Sequence, residues 1–206
     1  YNYPLFVIGI LFFVFGFLTW VNGVLIPYFK ICMQLNNFQA TLVAFSAYFA
    51  YFVMAMPSAL LLERIGYRKG MVLGLCIMSI GTLAFIPAAY SRYYPLFLGG
   101  LFLTGSGLAL VQTAANPYIA IMGPIESTAK RIGFMGIANK IAGIFSLILL
   151  GKVFLADADE LMEAIDGLDD IAISSTLDAY VLKIVDPYLI ISIIFLLVAL
   201  LVHYSR

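Results

Sequence analysis

Charge is what this chain has least of: only 11% of its 206 residues are Asp, Glu, Lys or Arg. Soluble domains ordinarily carry about a quarter, so there are too few ionic groups here to coat a water-facing surface. The balance is neutral, 11 basic against 11 acidic side chains, and no basic patch offers the phosphate contacts that DNA or RNA demands. Nucleic acid is therefore not an expected partner. Cysteine is nearly absent too. Cys32 and Cys76 lie in apolar surroundings without ligand-like spacing, so no disulfide framework or metal cluster is expected and both thiols read as inert. The one histidine, His203, stands at the end of an apolar run and reads as interfacial. Without an internal Asp pair, a Ser/His arrangement or a metal cluster there is no chemistry for an intramembrane enzyme.

What the chain has in excess is apolar length: 64% of residues are hydrophobic and the mean hydropathy is +1.06. That composition describes an integral membrane protein. A hydrocarbon core about 30 Å thick needs roughly 20 apolar residues of helix, and six such runs are present, at about 4–28, 39–62, 70–90, 95–122, 132–155 and 187–204. No strand-like alternation argues for a barrel, and only a helix satisfies its own backbone in lipid, so an all-α fold of six transmembrane helices is expected. No basic stretch precedes the first run, so it reads as a retained span and not as a cleaved signal peptide.

Orientation follows from the bases. Arg64, Arg68, Lys69, Lys130 and Arg131 fall in the second-to-third and fourth-to-fifth connections, while the odd-numbered ones hold only Lys30, Arg92 and Lys183. The positive-inside rule makes the first group cytoplasmic and places both ends of the segment inside. Most acids, including Asp157, Asp159, Glu160, Glu163, Asp166, Asp169, Asp170, Asp178 and Asp186, fall in an outward loop expected at 156–186. Within it Leu161, Ile165, Leu168 and Ile171 recur near helical spacing and suggest a short surface helix.

No Asp or Glu lies inside any of the six runs. Polar residues inside spans are therefore amides, hydroxyls and one amine: Thr19, Trp20 and Asn22 in the first, Gln112, Thr113 and Asn116 in the fourth, Asn139 and Lys140 in the fifth. These suit a neutral polyol, because sugar hydroxyls both donate and accept, as an Asn or Gln amide does, and an indole packs on the apolar face of a pyranose. Gln112 and Lys140 fall at one depth, roughly 5 Å to the cytoplasmic side of the membrane centre. Gln112 and Asn116 share a helix face, and Pro117, lacking an N–H, is expected to free the Thr113 carbonyl and break or bend the helix beside them. Lys140 lies too deep to snorkel and costs roughly 3 kcal/mol to insert, so it must find water, a partner or deprotonation.

The second-to-third connection reads Ala59-Leu60-Leu61-Leu62-Glu63-Arg64-Ile65-Gly66-Tyr67-Arg68-Lys69, which resembles the major facilitator signature, with Ala59 for the usual glycine and Glu63 for the usual aspartate. More specific are Gln112-Thr113-Ala114-Ala115-Asn116-Pro117-Tyr118 before Gly123-Pro124, Val21-Asn22-Gly23-Val24-Leu25-Ile26-Pro27, and Asn37-Phe38-Gln39-Ala40. On these the chain is similar to the fucose, galactose and glucose symporter family of the major facilitator superfamily, and most similar to its bacterial glucose/galactose transporters. The resemblance implies a twelve-helix transporter of two six-helix halves, of which residues 1–206 are the N-terminal half and the C-terminal half is absent. It implies an inner-membrane carrier for a monosaccharide, with Asn22, Gln112, Asn116, Asn139, Lys140 and Trp20 at the sugar, no cofactor beyond a possible coupling Na⁺ or H⁺, and Glu63, Arg64, Gly66, Arg68 and Lys69 as a cytoplasmic gating motif.

Fucose permeases of this family carry carboxylates where this chain has Gly23 and Gln112, and a small hydroxyl residue where it has Lys140. The implied substrate is thus a hexose of glucose or galactose type, with fucose or N-acetylglucosamine as alternatives and Lys140 as the coupling candidate. A rival of another class is a non-transporting structural membrane subunit, which would need no polar centre.

Overall fold

The computed structural model describes the backbone of residues 2–121, 123–165 and 170–204, and their side chains except at 2–5, 22–27, 152–160, 162–165, 170–171 and 174. All regular structure among these residues is helical: α1 (Asn2–Cys32), α2 (Asn37–Ile65), α3 (Tyr67–Leu83), α4 (Phe85–Ser91), α5 (Tyr94–Ile121), a 3-10 turn (Ile125–Ser127), α6 (Thr128–Ile165), α7 (Asp170–Leu182) and α8 (Val185–Tyr204). Five stretches are long and apolar enough to cross a membrane, at 37–65, 67–91, 94–121, 125–151 and 175–204, and α1 adds a shorter apolar stretch, Phe6–Val21. The protein is an all-α, multi-pass membrane bundle.

Local chemistry sets the helix ends. Asn36 caps α2, its side chain accepting from the Gln39 N–H at 2.8 Å while the Gln39 side chain accepts from the Asn36 N–H at 3.0 Å. This reciprocal pair starts the helix two residues before the apolar run does. Gly66, at φ +80°, ends α2 and leads into α3, a backbone setting that only glycine adopts without strain. The third crossing is divided at Ala84 because Pro87 cannot donate to the Leu83 carbonyl.

α6 is 38 residues long, about 57 Å of helix, nearly twice the hydrocarbon thickness. The sequence reading ended this span near Leu155 and expected a loop over 156–186; the helix instead continues to Ile165, and most of the rest forms α7. Acidic residues ended the apolar run without ending the helix, because carboxylates solvate beyond the bilayer while the backbone keeps its own bonds. Of the four apolar residues expected to make a surface helix, Leu161 is fully buried; Ile165, Leu168 and Ile171 lie outside the described side chains. So do the acids from Asp157 to Asp170, whereas Asp178 and Asp186 are exposed. α7 is bound back onto α1, since the Tyr28 hydroxyl donates to the Tyr180 carbonyl at 2.7 Å. Arg92, in the left-handed region at φ +47°, donates to the Cys32 carbonyl at 2.9 Å and to the Asp178 carboxylate at 3.2 Å.

α1 packs along α6, α5 is held between α2 and α3, and α8 covers the far side of α3. In α5 61% of the central residues are buried, against 17% in α2 and 22% across 125–151. α5 is thus the hub, and α2 and α6 turn apolar faces outward, among them Phe45, Phe52, Ile137, Ile144 and Ile148. Glycines let α3 and α5 touch backbone to backbone. A methyl group on Gly107 would stand 2.5 Å from the Gly74 carbonyl oxygen and 2.8 Å from the Met78 nitrogen. Behind α3, the buried hydroxyls of Ser79 and Ser192 meet at 2.7 Å and join α3 to α8.

Arg131 closes the turn between α5 and α6. Its guanidinium is buried and donates to the carbonyls of Ile119, Ala120 and Pro124 and to the hydroxyls of Ser127 and Thr128. All five N–H donors are used, and the positive charge sits on the carbonyl end of α5, where the helix dipole favours it.

Replacing Gly107 with Val is expected to pry α3 from α5. Overpacking of this kind costs about 1–3 kcal/mol, so the unfolding midpoint of the protein in detergent should fall by several degrees. An unchanged midpoint would show that the α3 to α5 contact does not limit stability.

Candidate functional site

A cavity of about 430 Å³ opens between α1, α2, α5 and α6, within the roughly 300–1,000 Å³ of small-molecule sites. Most of its wall is aliphatic, from Leu18, Val43, Ala44, Ala47, Leu101 and Leu108. Its polar groups are few and come from all four helices: Thr19, Tyr48, Tyr51, Thr104, Gln112 and Asn139. A second crevice, about 160 Å³ between α1 and α8, is lined only by Phe13, Val14, Phe17, Leu18, Ile191, Ile194 and Phe195. It has nothing with which to bond a hydroxyl, so the four-helix cavity is the candidate site.

The polar groups differ in how far they are already engaged. Thr19 and Thr104 donate to carbonyls one turn back on their own helices, Phe15 and Gly100, both at 2.8 Å. Each hydroxyl oxygen keeps acceptor capacity toward the cavity. Asn139 donates across to the Phe12 carbonyl of α1 at 3.2 Å, which fixes its amide and leaves its oxygen free to accept. Gln112 makes no hydrogen bond among the described residues, so both ends of its amide remain available.

Close helix contact makes this arrangement possible. A methyl on Gly16 of α1 would stand 2.0 Å from the Asn139 carbonyl oxygen of α6, so the two backbones touch at the site itself. One on Gly105 of α5 would stand 2.8 Å from the Ala47 carbonyl oxygen of α2. The cavity is bounded by these two backbone contacts.

Of the residues expected at the site, Gln112 and Asn139 line the same cavity. Trp20 and Lys140 do not line the cavity, although each follows a lining residue in the chain; they pair with each other, the ammonium 5.9 Å from the centre of the indole ring. Both are exposed, and Lys140 has no carboxylate partner among the described residues. Asn116 is exposed and does not line the cavity: one turn from Gln112 carries it beyond the cavity's edge. The side chain of Asn22 lies outside the described residues. Pro117 does not break its helix. α5 runs on to Ile121 because one missing hydrogen bond is outweighed by burial of Ala114, Ala115 and Ile119 around it.

Tyr48 and Tyr51 were not anticipated. They sit near the middle of α2, although membrane tyrosines usually gather at the interfaces, and that displacement is the signal which could have marked them. In the turn between α2 and α3, Glu63, Arg64, Gly66, Arg68 and Lys69 are all exposed. Arg68 reaches the carbonyl end of α8, donating to Val202 at 3.1 Å. Among the described residues the one ion pair is Arg92 with Asp178.

The model of the Major Facilitator Superfamily matches residues 8–204. The chain is 41% identical over 154 residues to a "Glucose/galactose transporter" of Brucella abortus, a match covering 73% of this chain and 37% of the relative. It is 32% identical over 207 residues to the "L-fucose-proton symporter" of Escherichia coli, covering 100% of this chain and 47% of that one. The crystal structure of the Escherichia coli fucose:proton symporter, FucP, superposes with a TM-score of 0.85 at 31% identity, over 98% of this chain and 49% of that chain. The chain therefore spans half or less of the length of the relatives it matches.

Asn139→Leu is expected to remove the α6 to α1 hydrogen bond and leave the Phe12 carbonyl to its helical partner alone. Such bonds contribute about 0.5–1.5 kcal/mol in membrane bundles, so the thermal midpoint should fall by a few degrees at most. A drop as large as that expected for a broken backbone contact would mean that Asn139 is chiefly a structural residue.

Proposed function

The chain belongs to the Major Facilitator Superfamily, and on that premise we propose that it is the N-terminal six-helix half of a carrier moving a hexose across the cytoplasmic membrane by alternating access. Residues 1–206 form this half as one unit, with both ends on the cytoplasmic side, and a second six-helix half completes the sugar path. One observation carries the reading: the uncommitted amide of Gln112 and the fixed amide of Asn139 share a single cavity among membrane helices. Similarity to a glucose/galactose transporter and to a fucose-proton symporter supports a sugar as the cargo.

The chemistry of the wall suits that cargo. A hexose presents hydroxyls around an apolar ring, and Gln112 offers both a donor and an acceptor to them. Asn139 offers a carbonyl oxygen, and Tyr48 and Tyr51 of α2 offer hydroxyls. Trp20, still 39% exposed, keeps indole surface free for the apolar face of the ring. Each of these bonds replaces one that the sugar makes to water, so the net gain per bond is about 1 kcal/mol. A carrier needs such weak and distributed binding, because the sugar must leave on the other side. Asn22 and Asn116 complete the polar set as the sugar site closes, and Glu63, Arg64, Gly66, Arg68 and Lys69 form the gating turn on the cytoplasmic face.

Lys140 governs coupling. The six spans contain no carboxylate, so a driving H⁺ or Na⁺ has no acidic ligand in this half. A lysine at the sugar site supplies fixed positive charge where a carboxylate pair would have supplied an ion site. Lys140 either bonds sugar hydroxyls or responds to a coupling ion.

Uptake of radiolabelled D-glucose by proteoliposomes holding the full-length protein is expected to saturate. Gln112→Leu should raise KM about tenfold, equivalent to about 1.4 kcal/mol of lost binding. Lys140→Met should abolish accumulation against a gradient while leaving exchange of internal and external sugar. Absence of saturable uptake of any hexose would refute the carrier reading, and undiminished accumulation by Lys140→Met would remove Lys140 from coupling.

A further inference from the structure

Gly143 lies on α6 one turn beyond Lys140 and is buried. A methyl group built on it would stand 2.5 Å from both Cδ1 and Nε1 of Trp20 and 3.0 Å from its Cγ. The pyrrole side of the indole therefore rests directly on the bare backbone of α6. By contrast, Gly133 and Gly136 of the same helix have nothing within 4 Å of that position. The glycine is thus demanded at 143 by one neighbour, the Trp20 indole, which the carrier reading above assigns to the sugar.

If residue 143 carried a side chain, something would have to yield. Parting the backbones of α1 and α6 would break the close contact they make one helical turn away, at Gly16 and Asn139, whereas turning a side chain would not. The indole yields instead, by turning off α6 and away from the Lys140 ammonium that now lies 5.9 Å from its ring centre. Trp20 is 39% exposed, so the ring has open space to turn into. On the carrier reading that space is where the sugar ring packs.

We infer that Gly143 is a specificity-determining residue: by seating the Trp20 indole on α6 it sets the clearance of the sugar site, and that clearance admits a hexose. The inference rests on the carrier reading above. Gly143 touches no sugar itself. It acts through the position of the indole, so its loss narrows the site more for a larger ring substituent than for a smaller one. D-glucose and D-xylose differ by one hydroxymethyl group and are the natural pair of probes.

The test uses the full-length protein in proteoliposomes, with Gly143→Ala and, as a control on the same helix, Gly133→Ala. Gly143→Ala should raise KM for D-glucose at least three times more than KM for D-xylose, with the maximal rate within twofold; Gly133→Ala should leave the ratio unchanged. Equal changes for both sugars, or a fall in maximal rate alone, would make Gly143 a packing residue and overturn the inference. The seat is also read without transport. In a variant retaining Trp20 as the sole tryptophan, acrylamide quenching should rise at least twofold on Gly143→Ala. Unchanged quenching overturns the inference whatever the transport result, whereas absence of uptake by the unmodified protein refutes only the carrier reading.

Discussion

Everything at the candidate site hangs on the contact of α1 with α6 at Gly16. Two helices normally sit 8–10 Å apart with side chains between them; here a glycine removes the side chain, and the Asn139 carbonyl lies where a Cβ would be. That approach brings the Asn139 amide within reach of the Phe12 carbonyl and lets the Trp20 ring lie across Gly143. In lipid, helices gain nothing from hiding apolar surface, so association depends on such close packing and on the polar bonds it permits. The same device recurs where α3 meets α5 and where α5 meets α2. A cavity wall made from contacts this short leaves less room to shift than a wall of long flexible side chains.

The distribution of charge follows a related constraint. A membrane protein can hold a cation where carbonyls solvate it, where an acid pairs it, or where water reaches it. Arg131 takes the first course, with every donor bonded to neutral oxygen of α5's end or of the turn that follows. Arg92 takes the second, with Asp178 and the end of α1. Lys140 has neither, and lies exposed against the face of an aromatic ring. The first two cations fasten helix ends together and are fully engaged in doing so. The third fastens no helix end and has no carboxylate partner among the described residues, only the indole beside it.

Much of this was legible in the sequence, and the failures have physical causes. The crossings announced themselves because the bilayer sets a length that apolar runs must meet, and Gln112 and Asn139 stood out because an amide in a span is costly unless used. The end of α6 was misjudged at Leu155, since hydropathy reports where lipid stops and not where backbone hydrogen bonding stops. Pro117 read as a break because one residue's missing donor was weighed without the buried neighbours that keep the helix intact. Tyr48 and Tyr51 went unmarked for the opposite reason. Tyrosine counts as apolar in a run, so its hydroxyl is invisible until its depth in the helix is known. Asn116 shows the limit of helical periodicity: two residues four apart share a face, yet the cavity wall on α5 runs from Leu101 to Gln112 and ends before Asn116.

Glycine is where sequence reasoning and structure diverge most. Gly133, Gly136 and Gly143 form one stripe on α6 and are equivalent as letters, each a small residue fit for close packing. Their surroundings separate them: two have nothing within 4 Å and the third carries an indole at 2.5 Å. Periodicity places a glycine on a face but cannot say what occupies the space it leaves, because that depends on a side chain 123 positions earlier in the chain. The informative unit is therefore the pair. Trp20 without Gly143 would be an aromatic with no fixed orientation, and Gly143 without Trp20 would be a gap on a helix. Together they turn a small-residue position into a platform of defined height.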